Sequence, residues 1–253
     1  MDFPREELLE KYIYLYEQYV APYEPDFEAA GGTTRYIKFN DDWYGLNPYN
    51  KFLITRLENR KNIFPKKTLD KISPKANPDN YVTLKYDSDG NLKMAFVATM
   101  VFVYVSKQLT IGYFIDPASD GPVKYDHYNF EWNEYDDEGR LVSTEEFRGY
   151  GTPNDDVIIN CEYYEYDGNV LSHAWCFKDF QRFPIEATIN MVRQLMPDRI
   201  FNPDKYEYSF KLVEDGLDYT CNRYYRLSQT LTDEGHVSEE KLSNLAENGI
   251  HLV

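Results

Sequence analysis

Six glutamates carry most of the chemical potential of this chain: Glu131, Glu134, Glu145, Glu146, Glu162 and Glu165 fall on three neighbouring candidate strands. Two carboxyl groups held close together across a sheet can serve as acid and nucleophile in glycoside hydrolysis. Aromatic side chains able to stack on a sugar stand nearby, at Trp132, Tyr164, Tyr166, His173 and Trp175. Composition offers a plainer origin, because 43 acidic residues in a chain of 253 set carboxylates side by side on solvated strand faces by default. Other constellations fail in detail. Asp87-Ser88-Asp89-Gly90-Asn91 alternates oxygen ligands as a calcium loop does. Aligning Gly90 with that loop's glycine, however, puts Lys85 at the first ligand and Phe96 where a bidentate glutamate belongs. His127, His173, His236 and His251 are scattered, and the cysteines show no C-x2-C spacing, so no zinc site is expected. Gly149-Tyr150-Gly151-Thr152-Pro153 lacks the lysine of a phosphate loop, and no nucleophile elbow occurs. No metal, no cofactor and no catalytic residue set is expected.

Charge narrows the range of partners. The formal net charge is −16, which repels nucleic acid and anionic membranes and attracts a basic protein. It is unevenly spread. Residues 51–75 hold eight Lys/Arg against Glu58 and Asp70, whereas residues 131–167 hold twelve acids against Arg140 and Arg148. Glu131, Glu134, Asp136, Asp137, Glu145, Glu146, Asp155 and Asp156 are therefore the candidate partner-binding residues. Three cysteines are too few for a disulfide framework. Residues 1–11 lack the basic and apolar regions of a secretory signal, so the cytoplasm is the expected compartment. The longest apolar run, 94–105, is too short to span a bilayer as a helix and reads as a buried central strand.

One turn signal recurs. Tyr86-Asp87-Ser88-Asp89-Gly90-Asn91-Leu92 and Tyr135-Asp136-Asp137-Glu138-Gly139-Arg140-Leu141 share a spacing. Tyr166-Asp167-Gly168-Asn169-Val170-Leu171 is a shortened copy, and Asp233-Glu234-Gly235-His236-Val237 echoes the second half. Asp caps such a turn with its side-chain oxygen and Gly takes the positive φ, after which Tyr and Leu resume the pleat. Counting back from a two-residue Gly168-Asn169 loop sets Glu162 opposite Trp175, Tyr164 opposite His173 and Cys161 opposite Cys176. In that register the two thiols can touch, and one side of the hairpin is broad and aromatic. The stretches YDSDGNL and YDDEGRL resemble the YD-repeat hairpins of the large shell-forming polymorphic-toxin proteins. They are also similar to hairpin units of small bacterial proteins encoded beside such toxins. The likeness covers two seven-residue stretches 49 residues apart. It implies an immunity-like role in a toxin system and assigns no functional residue.

The elements that must position these groups follow from periodicity. Apolar residues Leu8, Leu9, Tyr12, Leu15, Tyr16 and Tyr19 predict an amphipathic helix over 5–20, closed by Pro22. A strand is expected at 34–39 and a short helix at 49–62, with prolines keeping the chain irregular to residue 80. From 81 onward strands are predicted at 81–87, 92–105, 109–115, 123–135, 141–150, 157–166, 171–180, 206–213 and 217–227. Helices are predicted at 184–196 and at 238–248, the latter with a Ser N-cap and Gly249 at C′. The expected fold is α+β: a strongly bent antiparallel meander of eight to ten strands or a partial barrel, with N-terminal, internal and C-terminal helices. An N-terminal section, 1–80, is expected to pack on a β body, 81–253, as one compact unit. The leading functional expectation is a non-catalytic protein that neutralises a basic partner such as a toxin through the acidic hairpins. The rival is a carbohydrate or small-ligand binder or hydrolase whose concave sheet face offers Trp132, Trp175 and a Glu pair. A structural module without a ligand stays open as a third reading.

Overall fold

The computed structural model describes residues 1–26, 32–38, 47–58, 67–97, 100–114, 127–150, 157–178, 204–224 and 230–253. Twelve strands among these form one antiparallel sheet in which every strand pairs with its neighbours in sequence. They are β1 (Thr34–Lys38), β2 (Tyr81–Tyr86), β3 (Leu92–Val97), β4 (Met100–Tyr104), β5 (Leu109–Phe114), β6 (His127–Tyr135), β7 (Leu141–Tyr150), β8 (Ile158–Asp167), β9 (Val170–Lys178), β10 (Asp204–Val213), β11 (Gly216–Tyr224) and β12 (Thr230–Ser238). The antiparallel meander is as expected, but it is longer than expected and it does not close, since β1 and β12 lie at opposite ends of the strand order. The expected helix at 184–196 lies outside the described residues.

Helix α1 (Arg5–Leu15) lies on one face of the sheet, while α2 (Leu53–Glu58) and α3 (Glu239–Glu247) lie on the other. On the α1 face, Leu8, Tyr12, Leu15 and Val20 pack with Val103, Ile111, Phe130, Phe147, Ile159 and Phe177. Tyr12 stacks on Phe130 with ring centroids 5.6 Å apart. On the opposite face, Leu53, Ile54, Leu242 and Leu245 cover Tyr164, Leu171, Cys176, Tyr208, Leu217 and Cys221. A third cluster, Ile37, Val82, Leu84, Ala95 and Phe102, fills the β1–β4 end of that face. Helix α3 ends as its sequence predicts. Gly249 has φ +79°, its N–H donates to Ala246, and Ile250 N–H donates to Leu245, which is a Schellman closure.

The repeated Tyr-Asp signal folds as turns. Asp87 Oδ1 accepts from the backbone N–H groups of Asp89 and Asn91, and Asp136 Oδ1 accepts from that of Arg140. Gly90, Gly139 and Gly168 all have positive φ. Each of the three hairpins also carries a bulge on its returning strand, at Lys93, Val142 and Ser172, opposite the steps Lys85/Tyr86, Glu134/Tyr135 and Glu165/Tyr166. The extra residue lets the tyrosine and the leucine opposite it both point to the α2–α3 face.

That bulge corrects the register counted from the turn. Beyond it Glu162 pairs with Cys176, Tyr163 with Trp175, Tyr164 with Ala174 and Cys161 with Phe177. Cys161 belongs to the α1 face and Cys176 to the other, so the thiols do not meet. The single aromatic side dissolves as well, with Tyr163 and Trp175 under α1 and Tyr164 under α2. Two further expectations are corrected. The run 92–105 is two strands, paired with Val97 opposite Met100, because a continuous apolar run does not mark where the chain reverses. Asp233-Glu234-Gly235 is no turn but the middle of β12. Gly235 lies opposite Tyr219, whose ring occupies the place a Cβ would take, with atoms 2.4 Å from it.

Candidate partner-binding surface

Three of the six described carboxylates expected to meet a partner are interior. Glu131, Glu145 and Glu146 are 3%, 2% and 6% exposed, and Glu162 is fully buried. Asp155 and Asp156 lie outside the described residues. Buried carboxylates must be hydrogen-bonded or paired, and these are. On the α2–α3 face Glu131 accepts from Asn47 Nδ2 at 3.0 Å, and Glu146 accepts from Asn129, Asn160 and Arg148 at 2.8–3.0 Å. Glu162 Oε2 accepts from the backbone N–H of Ile54 at 2.7 Å and from the Tyr164 hydroxyl at 2.6 Å, tying α2 to the sheet. Burial first, then the Glu162 charge, pushes the Tyr164 phenol far above its ordinary range. Asp136 is committed to its own turn and to Arg140 Nε at 2.6 Å. Asp137 and Glu138 at the tip of that hairpin are the acids left in solvent.

Glu134 and Glu145 lie on the α1 face with Trp132, the arrangement closest to the expected glutamate pair with a tryptophan. The gap between them holds an ammonium: Lys11 Nζ of α1 sits 2.8 Å from Glu134 and 2.5 Å from Glu145. Burial raises the Glu145 pKa despite Lys11. At Glu134 burial also pulls upward, but Lys11, Trp132 and Ser143 outweigh it and hold the carboxyl below its usual range. Here the pair fastens a helix to a sheet.

What α1 shows to solvent is different. The pattern Leu8, Tyr12, Leu15 faces the sheet at helical spacing, and an α-helix would place Tyr19 next. Instead residues Tyr16–Val20 form a π turn, closed by Ala21 N–H donating to Tyr16 O at 2.8 Å. The wider turn puts Val20 into the core and leaves Tyr19 outside, 43% exposed, so Tyr19 departs from its expected place on the buried stripe. Tyr19 meets Tyr14, 56% exposed, edge to face with centroids 6.3 Å apart, and lies 5.6 Å from the Trp132 ring. Ile13 is exposed beside them. On α1 and its π turn Glu6, Glu7, Glu10 and Glu17 face solvent as well, as does Asp2 ahead of the helix. In residues 1–26 only Arg5 and Lys11 oppose seven acids, and Lys11 is turned inward. The sequence carries one sign of this surface, since Tyr14 falls off the apolar stripe. Tyr19 gives none, because its exposure depends on the π turn.

Compared with protein-family models, curated proteins and solved structures, the chain matches none of them.

Proposed function

We propose that this chain is a non-catalytic binding protein that captures a basic protein through the outward face of α1 and its π turn, as an immunity protein would capture a basic toxin. The observation that carries this reading is the Ile13–Tyr14–Tyr19 patch, exposed on an acid-rich helix locked to the sheet. Tyrosine-centred patches with a polar rim are what protein interfaces use as anchors, because a ring brings large contact area at small entropy cost. The tyrosine faces also attract lysine and arginine. The net charge of −16 steers a basic partner toward the surface from a distance. The likeness of the Tyr-Asp hairpins to those of toxin-associated proteins favours the same partner class. The test is capture from native lysate on the immobilised chain and on a Tyr14→Ala/Tyr19→Ala variant, with bound proteins identified and eluted by a salt gradient. A basic protein held at low salt by the parent and lost by the variant is expected. Equal retention by both would refute the assignment to this face.

One observation favours a second reading, a small polar ligand on the α2–α3 face. Asn133 Oδ1 and Thr144 Oγ1, directly opposed on β6 and β7 beside Glu131 and Glu162, are buried without a partner among the described residues. Buried unpaired polar atoms cost about 1–3 kcal/mol each. Thr144→Val separates the cases: unchanged or raised stability and no loss of ligand-induced thermal shift in a metabolite screen removes the ligand.

A further inference from the structure

We propose that the outer edge of β12 is a docking site for an extended, lysine- or arginine-bearing segment of a partner, added to the sheet as a further antiparallel strand. The proposal rests on the reading of a basic partner for the charge of that segment, but it concerns a surface separate from α1. β12 pairs with β11 over nine residues, from Gly216↔Ser238 to Tyr224↔Thr230, with no register shift. On its other side it has no strand partner among the described residues. A long, unshifted edge of this kind presents a row of unpaired N–H and C=O groups, and sheets normally blunt it with proline, lysine or other charges, a bulge or a covering segment. The sequence TLTDEGHVS contains no proline and no lysine, and the continuous register shows no bulge. The opposite edge is treated otherwise. β1 is five residues long, and Leu69 bridges to Tyr36 on it through two backbone hydrogen bonds of 2.7 and 2.8 Å. Helix α3 follows β12 directly but turns onto the sheet face, where Leu242 and Leu245 join Val237 and Leu217.

The side chains of this edge select the occupant. Asp233 and Glu234 stand exposed at its centre, Asp233 paired with Arg223 of β11 at 2.9 Å and Glu234 turned to the other face. A second copy of the chain paired antiparallel about that centre would set acid against acid, and in parallel register it would set each acid against itself. Like charges directly opposed destabilise a pair, so self-association is disfavoured and a basic segment is favoured. Gly235 adds a feature of its own. With no side chain there, the Tyr219 ring from β11 lies over it, an aromatic cover on an edge glycine. A lysine or arginine opposite Gly235 on the incoming strand would reach the face of that ring, while the next residues of the incoming strand on the same face stand opposite Asp233 and Leu231, the latter 50% exposed. Main-chain hydrogen bonds supply affinity in this mode, and the alternate side chains supply selection.

The test is hydrogen exchange of the full chain with a blocked seven-residue peptide of alternating lysine and valine at millimolar concentration. A second peptide has its central valine replaced by proline, and a third has glutamate for lysine. The expected result is at least tenfold slower exchange in residues 230–238 with the first peptide and not with the other two. That protection should fall several-fold in a Glu234→Lys variant, whose exposed position leaves folding intact. No protection of 230–238, or equal protection by the proline peptide, overturns strand addition. Because Tyr14 and Tyr19 are untouched, such a failure leaves capture through α1 standing. Conversely, a Tyr14→Ala/Tyr19→Ala chain that still binds the peptide separates the two surfaces.

Discussion

Replacing Lys11 by methionine tests how this protein anchors its candidate binding helix. Methionine keeps the length of the lysine stem and removes its charge, so the change is confined to the ammonium between Glu134 and Glu145. Glu134 is 44% exposed on its side chain, and its share is discounted to the surface-pair range of under about 1 kcal/mol. Glu145, at 2%, is the group that cannot turn to water. Breaking a buried pair from one side costs about 3–5 kcal/mol as long as the remaining charge persists. It need not persist, because Glu145 can bind a proton. Its folded pKa is already raised by burial, so its protonation favours the folded state below the unfolded carboxylate value, a contribution lost as pH rises through the folded value. Without Lys11 that folded value climbs further. The Lys11→Met penalty should therefore approach its full size at pH 8 and shrink toward pH 5. Urea unfolding of the parent, Lys11→Met, Glu145→Gln and the double variant at both pH values measures it. A coupling of about 1–3 kcal/mol at pH 8, smaller at pH 5, is expected. Coupling below about 0.5 kcal/mol at pH 8, the usual scatter of additivity, would refute the assignment of Lys11 as the fastening of α1.

Tyr14→Ala and Tyr19→Ala should each weaken capture of a basic partner by about 2 kcal/mol, roughly 30-fold, as interface anchors do, with melting temperature nearly unchanged because both rings are exposed. Surface plasmon resonance beside a thermal melt checks both halves. Gly139→Ala, at φ +80° with open space around the missing Cβ, should cost about 1 kcal/mol from backbone conformation alone, and denaturant titration reads it. All three thiols should react slowly with an aromatic disulfide reagent until the chain unfolds, since Cys161, Cys176 and Cys221 are buried and burial pushes the Cys161 thiol far up. Oxidation should give no Cys161–Cys176 bridge by peptide mapping, because the two side chains leave the sheet on opposite faces.

Features written in a few adjacent residues are legible from residue order alone. The Asp caps and positive-φ glycines of the Tyr-Asp turns are short-range preferences of the backbone, and so are the N-terminal helix and the Ser238–Gly249 frame of α3. Aromatic and β-branched alternation between them was enough to predict a meander. Which side of each strand is wet, by contrast, is settled by long-range packing. A strand has two faces of identical period, so one bulged residue, Ser172 opposite the Glu165/Tyr166 step, exchanges them and separates Cys161 from Cys176. Glu131, Glu145, Glu146 and Glu162 read as solvated acids because nothing local marks an interior carboxylate. Asn47, Lys11, Asn160 and Ile54, some distant in sequence, supply the donors that let them be buried. The exposed Tyr19 is likewise a tertiary outcome. Packing Val20 against the sheet selects the wider π turn, and that turn carries the tyrosine outward beside Tyr14 and Trp132.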